Sequence, residues 1–205
     1  MSEYLPVLDT YRESATKIVV TFEDVANEKR ARRNQSSIEP LDERFILVEA
    51  LFLRLVTNAE SVTDNLFWSL MIGDVELGSN FKVRQVASDI ETAKLLYNSG
   101  EYMSWLPIKE VPDRTNRFFI GSNPFSRCDP AWRDALSQVH KVRNFIAHRS
   151  ESSIAKLEFI QEAFRPVNES DTVARFLLSS HSGEYSKFHL YADALDQWLR
   201  SCCLR

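Results

Sequence analysis

From Leu41 to Ile72 apolar residues return every three or four positions, and a run this long confines the chain to a fold built around one long helix. Phe45, Ile46, Val48, Leu51, Phe52, Leu55, Val56, Ala59, Val62, Leu66 and Leu70 supply its apolar surface. That stripe is wide enough to touch more than one neighbour, as expected of the central helix of a bundle. Asp64 and Asn65 interrupt it beside Phe67 and Trp68, positions that suit either an ordinary surface or the lining of a cleft. Gly73 and Gly78 bracket a turn where the helix can stop.

The flanking sequence predicts more helices. Leu8 to Arg33 carries Tyr11, Ala15, Ile18, Val19, Phe22, Val25 and Ala26 on one face. The basic residues among Glu28–Arg33 complement the C-terminal end of its dipole, with phosphate contact as the competing use. A short polar connection, Asn34 to Pro40, follows. Phe81 to Tyr97 reads as a third helix closed by Asn98-Ser99-Gly100. Residues 107–130 hold four prolines and the turn signal Gly121-Ser122-Asn123-Pro124. They read as a long irregular loop, placed to act as a lid or rim over whatever the next helix carries.

That next helix starts at Asp129-Pro130, an acidic cap with proline in the first position, and runs to about Arg149. Ile154 to Phe164, a short segment through Val173 and Leu177, and Phe188 to Leu204 complete the helical patterns. No β-type alternation of any length and no internal repeat interrupts them. An all-α architecture in one domain over residues 1–205 is the expectation.

Composition bounds the function classes. The chain is 44% hydrophobic and 26% charged, with only 5 Gly and 7 Pro, which fits a compact helical protein. A net charge of -4 argues against an extended, sequence-blind nucleic-acid binder, although a local basic site stays open. Cys128, Cys202 and Cys203 are odd in number and poorly spaced to staple distant segments. Reduced thiols and a cytoplasmic location are therefore expected. Phe45 to Val56, the most apolar stretch, is broken by Glu49 and Arg54 and is too short to span a bilayer, and the N-terminus carries no signal-peptide pattern.

The chemistry concentrates on the helix after Pro130. Its apolar arc runs through Trp132, Ala135, Leu136, Val139, Val142 and Ile146, with Arg143 inside the border of that arc near Val139 and Leu136. His140, Asn144 and His148 follow at four-residue intervals as a polar stripe beside it, and Phe145 falls on the far side. The helix thus reads as apolar on two faces with a polar seam between them, one face for a core and one for a partner.

An arginine, an asparagine and a histidine suit the cleavage of a phosphodiester by attack of the neighbouring ribose 2′-hydroxyl. Histidine can take or give the proton, and arginine holds the non-bridging oxygens through paired hydrogen bonds. No metal or other cofactor is required for this. In a continuous helix, residues five apart point roughly 140° away from each other. Arg143 and His148 of one chain therefore converge poorly on one substrate, and two copies of the seam facing across a two-fold axis solve the problem.

Arg143-Asn144-Phe145-Ile146-Ala147-His148 resembles the signature of the HEPN superfamily: an Arg followed by a polar residue, often Asn, and separated by four to six residues from a His. The gap here is four, and Ala147 and Arg149 around the His fit the same pattern. The resemblance covers about eight residues on an all-helical background. It implies an up-and-down helical bundle with additional helices, and a metal-independent endoribonuclease acting as a dimer with its active site at the interface. It further implies a role in toxin–antitoxin or anti-phage defence, with an antitoxin or other defence protein as partner and RNA as substrate. By carry-over Arg143 and His148 are the catalytic pair and Asn144 the residue that orients them. His140, Lys141 and Arg149 are electrostatic helpers toward the substrate only.

Two other readings compete. Arg143 can be a structural ion-pair member, partnered by Asp134 or by a carboxylate of the long second helix, in a noncatalytic helical dimer that binds protein or RNA. His140, His148 and Cys128 can bind zinc only with a fourth ligand that the sequence does not place nearby. No Gly-rich phosphate loop is present.

Overall fold

The structure is a computed structural model that describes residues 5–32, 43–74, 81–84, 87–98, 105–148, 172–183 and 185–203. Among them the chain is mostly helical: α1 (Leu5–Arg32), α2 (Glu43–Ile72), α3 (Ile90–Asn98), α4 (Val111–Thr115), α5 (Pro130–His148), α6 (Thr172–Leu178) and α7 (Lys187–Cys203). Two small antiparallel pairs accompany them, β1 (Phe81–Val83) with β2 (Phe119–Gly121) and β3 (Ser180–Ser182) with β4 (Tyr185–Ser186). No helix of the described residues is long and apolar enough to cross a membrane.

The helix expected over Phe81 to Tyr97 is corrected in its first half. Phe81 to Val83 lies opposite Phe119 to Gly121, with Lys82 facing Ile120 and Val83 facing Phe119, and helix begins only at Ile90. Asp89 caps it: the carboxylate accepts the Thr92 N–H at 2.8 Å, the Thr92 hydroxyl at 2.8 Å and the Ser88 hydroxyl at 2.7 Å. The helix expected over Ile154 to Phe164, the Asn34–Pro40 connection and the side chains of the basic end of α1 lie outside the described residues.

The chain divides into two compact units. The first comprises Met1–Glu13, Asn58–Ser137 and Ala194–Arg205, and its core gathers around Phe67. Trp68, Trp105, Phe118 and Phe125 surround that ring with centroids at 4.9, 5.4, 5.3 and 5.8 Å, mostly edge to face, as the ring quadrupoles favour. Trp105 keeps its indole N–H satisfied by donating to Asp64 Oδ1 at 3.1 Å, which gives the interruption of the α2 stripe its reason.

Residues 107–130 are not a loose loop. Short turns of helix and the strand β2 bury Ile108, Val111, Phe118, Phe119 and Phe125, and buried Asn123 ties the segment together. Its amide nitrogen donates to Thr115 Oγ1 at 2.7 Å and Asn116 Oδ1 at 2.9 Å, while its amide oxygen accepts the Phe125 N–H at 3.0 Å. The segment supplies part of the core of this unit.

Cys202 and Cys203 are buried free thiols at the end of α7, and burial raises both, Cys203 to about 12. They stay protonated and unreactive at neutral pH.

The second unit comprises Ser14–Thr57 and Gln138–Asp193. Phe22 and Phe188 stack at 4.1 Å, and Phe52 meets Phe188 and Tyr191 edge-on at 6.2 and 5.9 Å. Between β3 and β4 the chain turns at Gly183, whose φ of 62° disfavours any side chain.

Two outcomes follow. Phe67→Ala should cost about 3–5 kcal/mol in denaturant unfolding, because the ring is fully buried among four aromatic neighbours, whereas Leu95→Ala, at a position 75% exposed, should stay within about 0.5 kcal/mol. Asp89 is held down to about 2, chiefly by the Thr92 backbone N–H and the Ser88 hydroxyl. Its stabilising effect is therefore complete above the unfolded value of about 4 and lost as pH falls through 2. The difference in Tm between wild type and Asp89→Ala should shrink steadily from pH 5 to pH 2; a constant difference would contradict the cap.

Candidate functional site

Helix α5 begins as its sequence predicts. Asp129 Oδ1 accepts the Ala131 N–H at 2.9 Å and Pro130 occupies the first helical position, where its missing N–H costs nothing. The helix is continuous through Ala147 and His148. Ala135, Leu136, Val139 and Val142 are buried, the last two completely.

Phe145 departs from the two-faced reading. It is only 7% exposed, so the chain itself covers this ring and does not present it to a partner. The angular reason is that Phe145 lies only about 60° from Val142 on the wheel, although it lies far from Leu136. Ile146 is half-buried, and Lys141, Ala147 and His148 are the exposed residues of the last two turns.

The seam is a hydrogen-bonded string. Arg143 Nη1 donates to Asn144 Oδ1 at 3.1 Å, and Asn144 Nδ2 lies 3.1 Å from His140 Nε2. Chemistry assigns the direction. A guanidinium only donates, so the Asn144 atom facing it is the oxygen, and the amide nitrogen is left to donate to the imidazole. His140 Nε2 then accepts, and the neutral ring keeps its proton on Nδ1. Asn144 thus holds a cation with one end and sets the tautomer of a histidine with the other. All three side chains are half-buried.

His148 stands apart from this string, exposed and without a hydrogen-bond partner among the described residues. The structure therefore brings Arg143, Asn144 and His140 together and leaves His148 one turn beyond Asn144, facing solvent. Lys141 is exposed on the same helix, and Arg149 lies outside the described residues. Sequence reading ranked His140 below His148; both stand four residues from Asn144, so spacing alone does not choose between them.

One contact anchors the helix just before the seam. Tyr191 of α7 donates its hydroxyl to Gln138 Oε1 at 2.7 Å, and burial of Tyr191 pushes its phenol above the ordinary range. The bond fixes the rotation of α5 at its approach to His140. Among the described residues no three His, Cys, Asp or Glu side chains lie close enough to hold a metal ion together.

No protein-family model, no curated protein sequence and no solved structure matches the chain.

Asn144→Ala should change the tautomer of His140, since its Nε2 loses the donor that favours the Nδ1–H form. Two-bond nitrogen–proton correlation spectra of labelled protein at a pH where His140 is neutral should show the Nδ1–H pattern in wild type and a shift toward Nε2–H in the variant. An unchanged spectrum would show that Asn144 does not set the ring.

Proposed function

We propose that the chain is a metal-independent endoribonuclease of the HEPN type, a helical bundle that works as a homodimer with Arg143, Asn144 and His148 as its reactive set. The observation that carries this reading is the string from Arg143 through Asn144 to His140 on a helix that ends in solvent-facing His148. Asn144 holds one arm of the Arg143 guanidinium, and a phosphate-binding guanidinium needs its planar fork held in one orientation.

The chemistry is internal transfer. His148 takes the proton from the ribose 2′-hydroxyl, the 2′-oxygen attacks phosphorus, and the bond to the 5′-oxygen breaks. The proton returns to the departing 5′-oxygen, so the products are a 2′,3′-cyclic phosphate and a 5′-hydroxyl. Arg143 meets the non-bridging oxygens as charge builds on them. His140 and Lys141 add positive or polar character beside the substrate, as does Arg149.

The dimer answers a geometric constraint. Because α5 is unbroken, Arg143 and His148 point roughly 140° apart. Pairing the seams of two chains lets the Arg143 of one meet the His148 of its partner. Lys141, Ala147 and His148 are the exposed residues available for that meeting. Such an enzyme fits a cytoplasmic toxin or anti-phage effector restrained by a partner protein.

Purified protein in excess chelator should cut RNA and leave cyclic phosphate ends. His148→Ala and Arg143→Ala should each lose at least about 100-fold in rate, exposed His148→Ala with an unchanged unfolding midpoint, and the growth arrest caused by expressing the wild type should vanish in both. Cleavage that persists in His148→Ala, or that needs a metal, would exclude this reading in favour of a noncatalytic binding module.

A further inference from the structure

The second unit holds a cleft of about 720 Å³ that includes none of the seam residues. Three of its lining side chains form a string of their own. Ser186 Oγ lies 2.8 Å from His189 Nδ1, and His189 Nε2 lies 3.1 Å from Glu23 Oε1.

Part of this string has a local structural origin. Ser186 is the cap of α7 and His189 its third residue. The Ser186 N–H donates to His189 Nδ1 at 3.2 Å, and the His189 N–H donates to Ser186 Oγ at 3.4 Å. This is a capping box with histidine where Glu or Gln ordinarily stands. The box fixes the imidazole: with Nδ1 accepting, the ring proton sits on Nε2, facing the Glu23 carboxylate. Phe22 edge-on and Tyr185 stacked, each with its centroid at 5.5 Å, hold the ring from two sides.

Capping does not account for the rest. The Ser186 oxygen is nearer to the ring nitrogen, at 2.8 Å, than to the amide it caps, at 3.4 Å, so the hydroxyl proton has Nδ1 as its acceptor. A cap needs neither a carboxylate behind the ring nor an open cleft in front. A nucleophile hydrogen-bonded to a base that a third group orients is the arrangement of covalent catalysis. Here the two ring nitrogens have exchanged the places they hold in the chymotrypsin-type triad.

We propose that this cleft is a second reaction centre, in which Ser186 is the nucleophile, His189 its base and Glu23 the group that holds the base, acting on carboxylic esters that carry an anionic group. Arg44 and Arg175 select the substrate. Both line the cleft, and both pack over the Phe45 ring, at 5.2 and 5.3 Å from its centroid, so a carboxylate or phosphate entering the cleft meets two guanidiniums. Ser186 Oγ bonds to the acyl carbon as the bond to the alcohol oxygen breaks, and the serine proton passes through His189 Nδ1 to that oxygen. Water, deprotonated by the same nitrogen, then cleaves the acyl-serine, so ester and water become acid and alcohol.

The test is labelling of the full chain with an alkyl fluorophosphonate, read by intact mass and peptide mapping. One adduct is expected, on Ser186. Ser186→Asn retains a capping side chain and should carry none; His189→Gln retains the box partner and should label at least about 100-fold more slowly. Mono-p-nitrophenyl succinate should be hydrolysed in preference to p-nitrophenyl butyrate, and Arg175→Gln should erase that preference. An unlabelled Ser186 in folded wild type, or labelling of His189→Gln at the wild-type rate, overturns the proposal, as does equal turnover of the two esters. RNA cleavage by Ser186→Asn should match wild type, so the two sites fail or stand separately.

Discussion

A helix turns by about 100° per residue, and α5 does so without interruption from Pro130 to His148. That pitch decides what its polar residues can do together. Side chains four apart lie within about 40° of one another, so Asn144 reaches His140; side chains five apart diverge, so Arg143 and His148 of one chain face different directions. Asn144 bonds its neighbour Arg143 and the ring one turn back, while His148, one turn onward and equally close in angle, is left outside the string. Arg143 and His148 of one chain therefore converge poorly, the constraint that the proposed dimer answers.

Two strings of polar groups in this protein are held by contacts that assign their protons. Asn144 can face Arg143 only with its oxygen, and this propagates to His140. Ser186 N–H can face His189 only at a lone pair, and this propagates to Glu23. Tyr191 performs the same service at lower stake, donating to Gln138 where α5 approaches the seam. In the first two cases a donor that cannot accept, or a backbone N–H, removes the freedom of the next group, which is how side chains are pre-set for chemistry before a substrate arrives.

The long elements were legible because their apolar period ran for many turns. α2 was expected from Leu41 and is observed from Glu43, and α7 was expected from Phe188 and begins at Lys187. Phe81 to Val83 was misread because three residues show no alternation, and the partner strand that fixes them begins at Phe119, far along the chain. The segment 107–130 looked structureless because its one-turn pieces carry buried residues at irregular intervals, Ile108, Val111, Phe118 and Phe125, which no single period describes. At the seam, residue types and spacing were readable, but the rank of His140 was not, because only geometry shows which imidazole Asn144 engages. The Ser186 and His189 box was missed because histidine is not the residue sought at that position, and Glu23 comes from α1 at the other end of the chain.

The composite site is the central claim, and mixing two inactive variants tests it most directly. Arg143→Ala and His148→Ala proteins, each purified and then combined in equal amounts under conditions that exchange subunits, form mixed dimers in which one site unites an intact Arg143 with the intact His148 of its partner. The account predicts that RNA cleavage returns to about a quarter of the wild-type rate, half of the dimers being mixed and half of their sites intact. A mixture as inactive as its two components, with subunit exchange demonstrated, would contradict it.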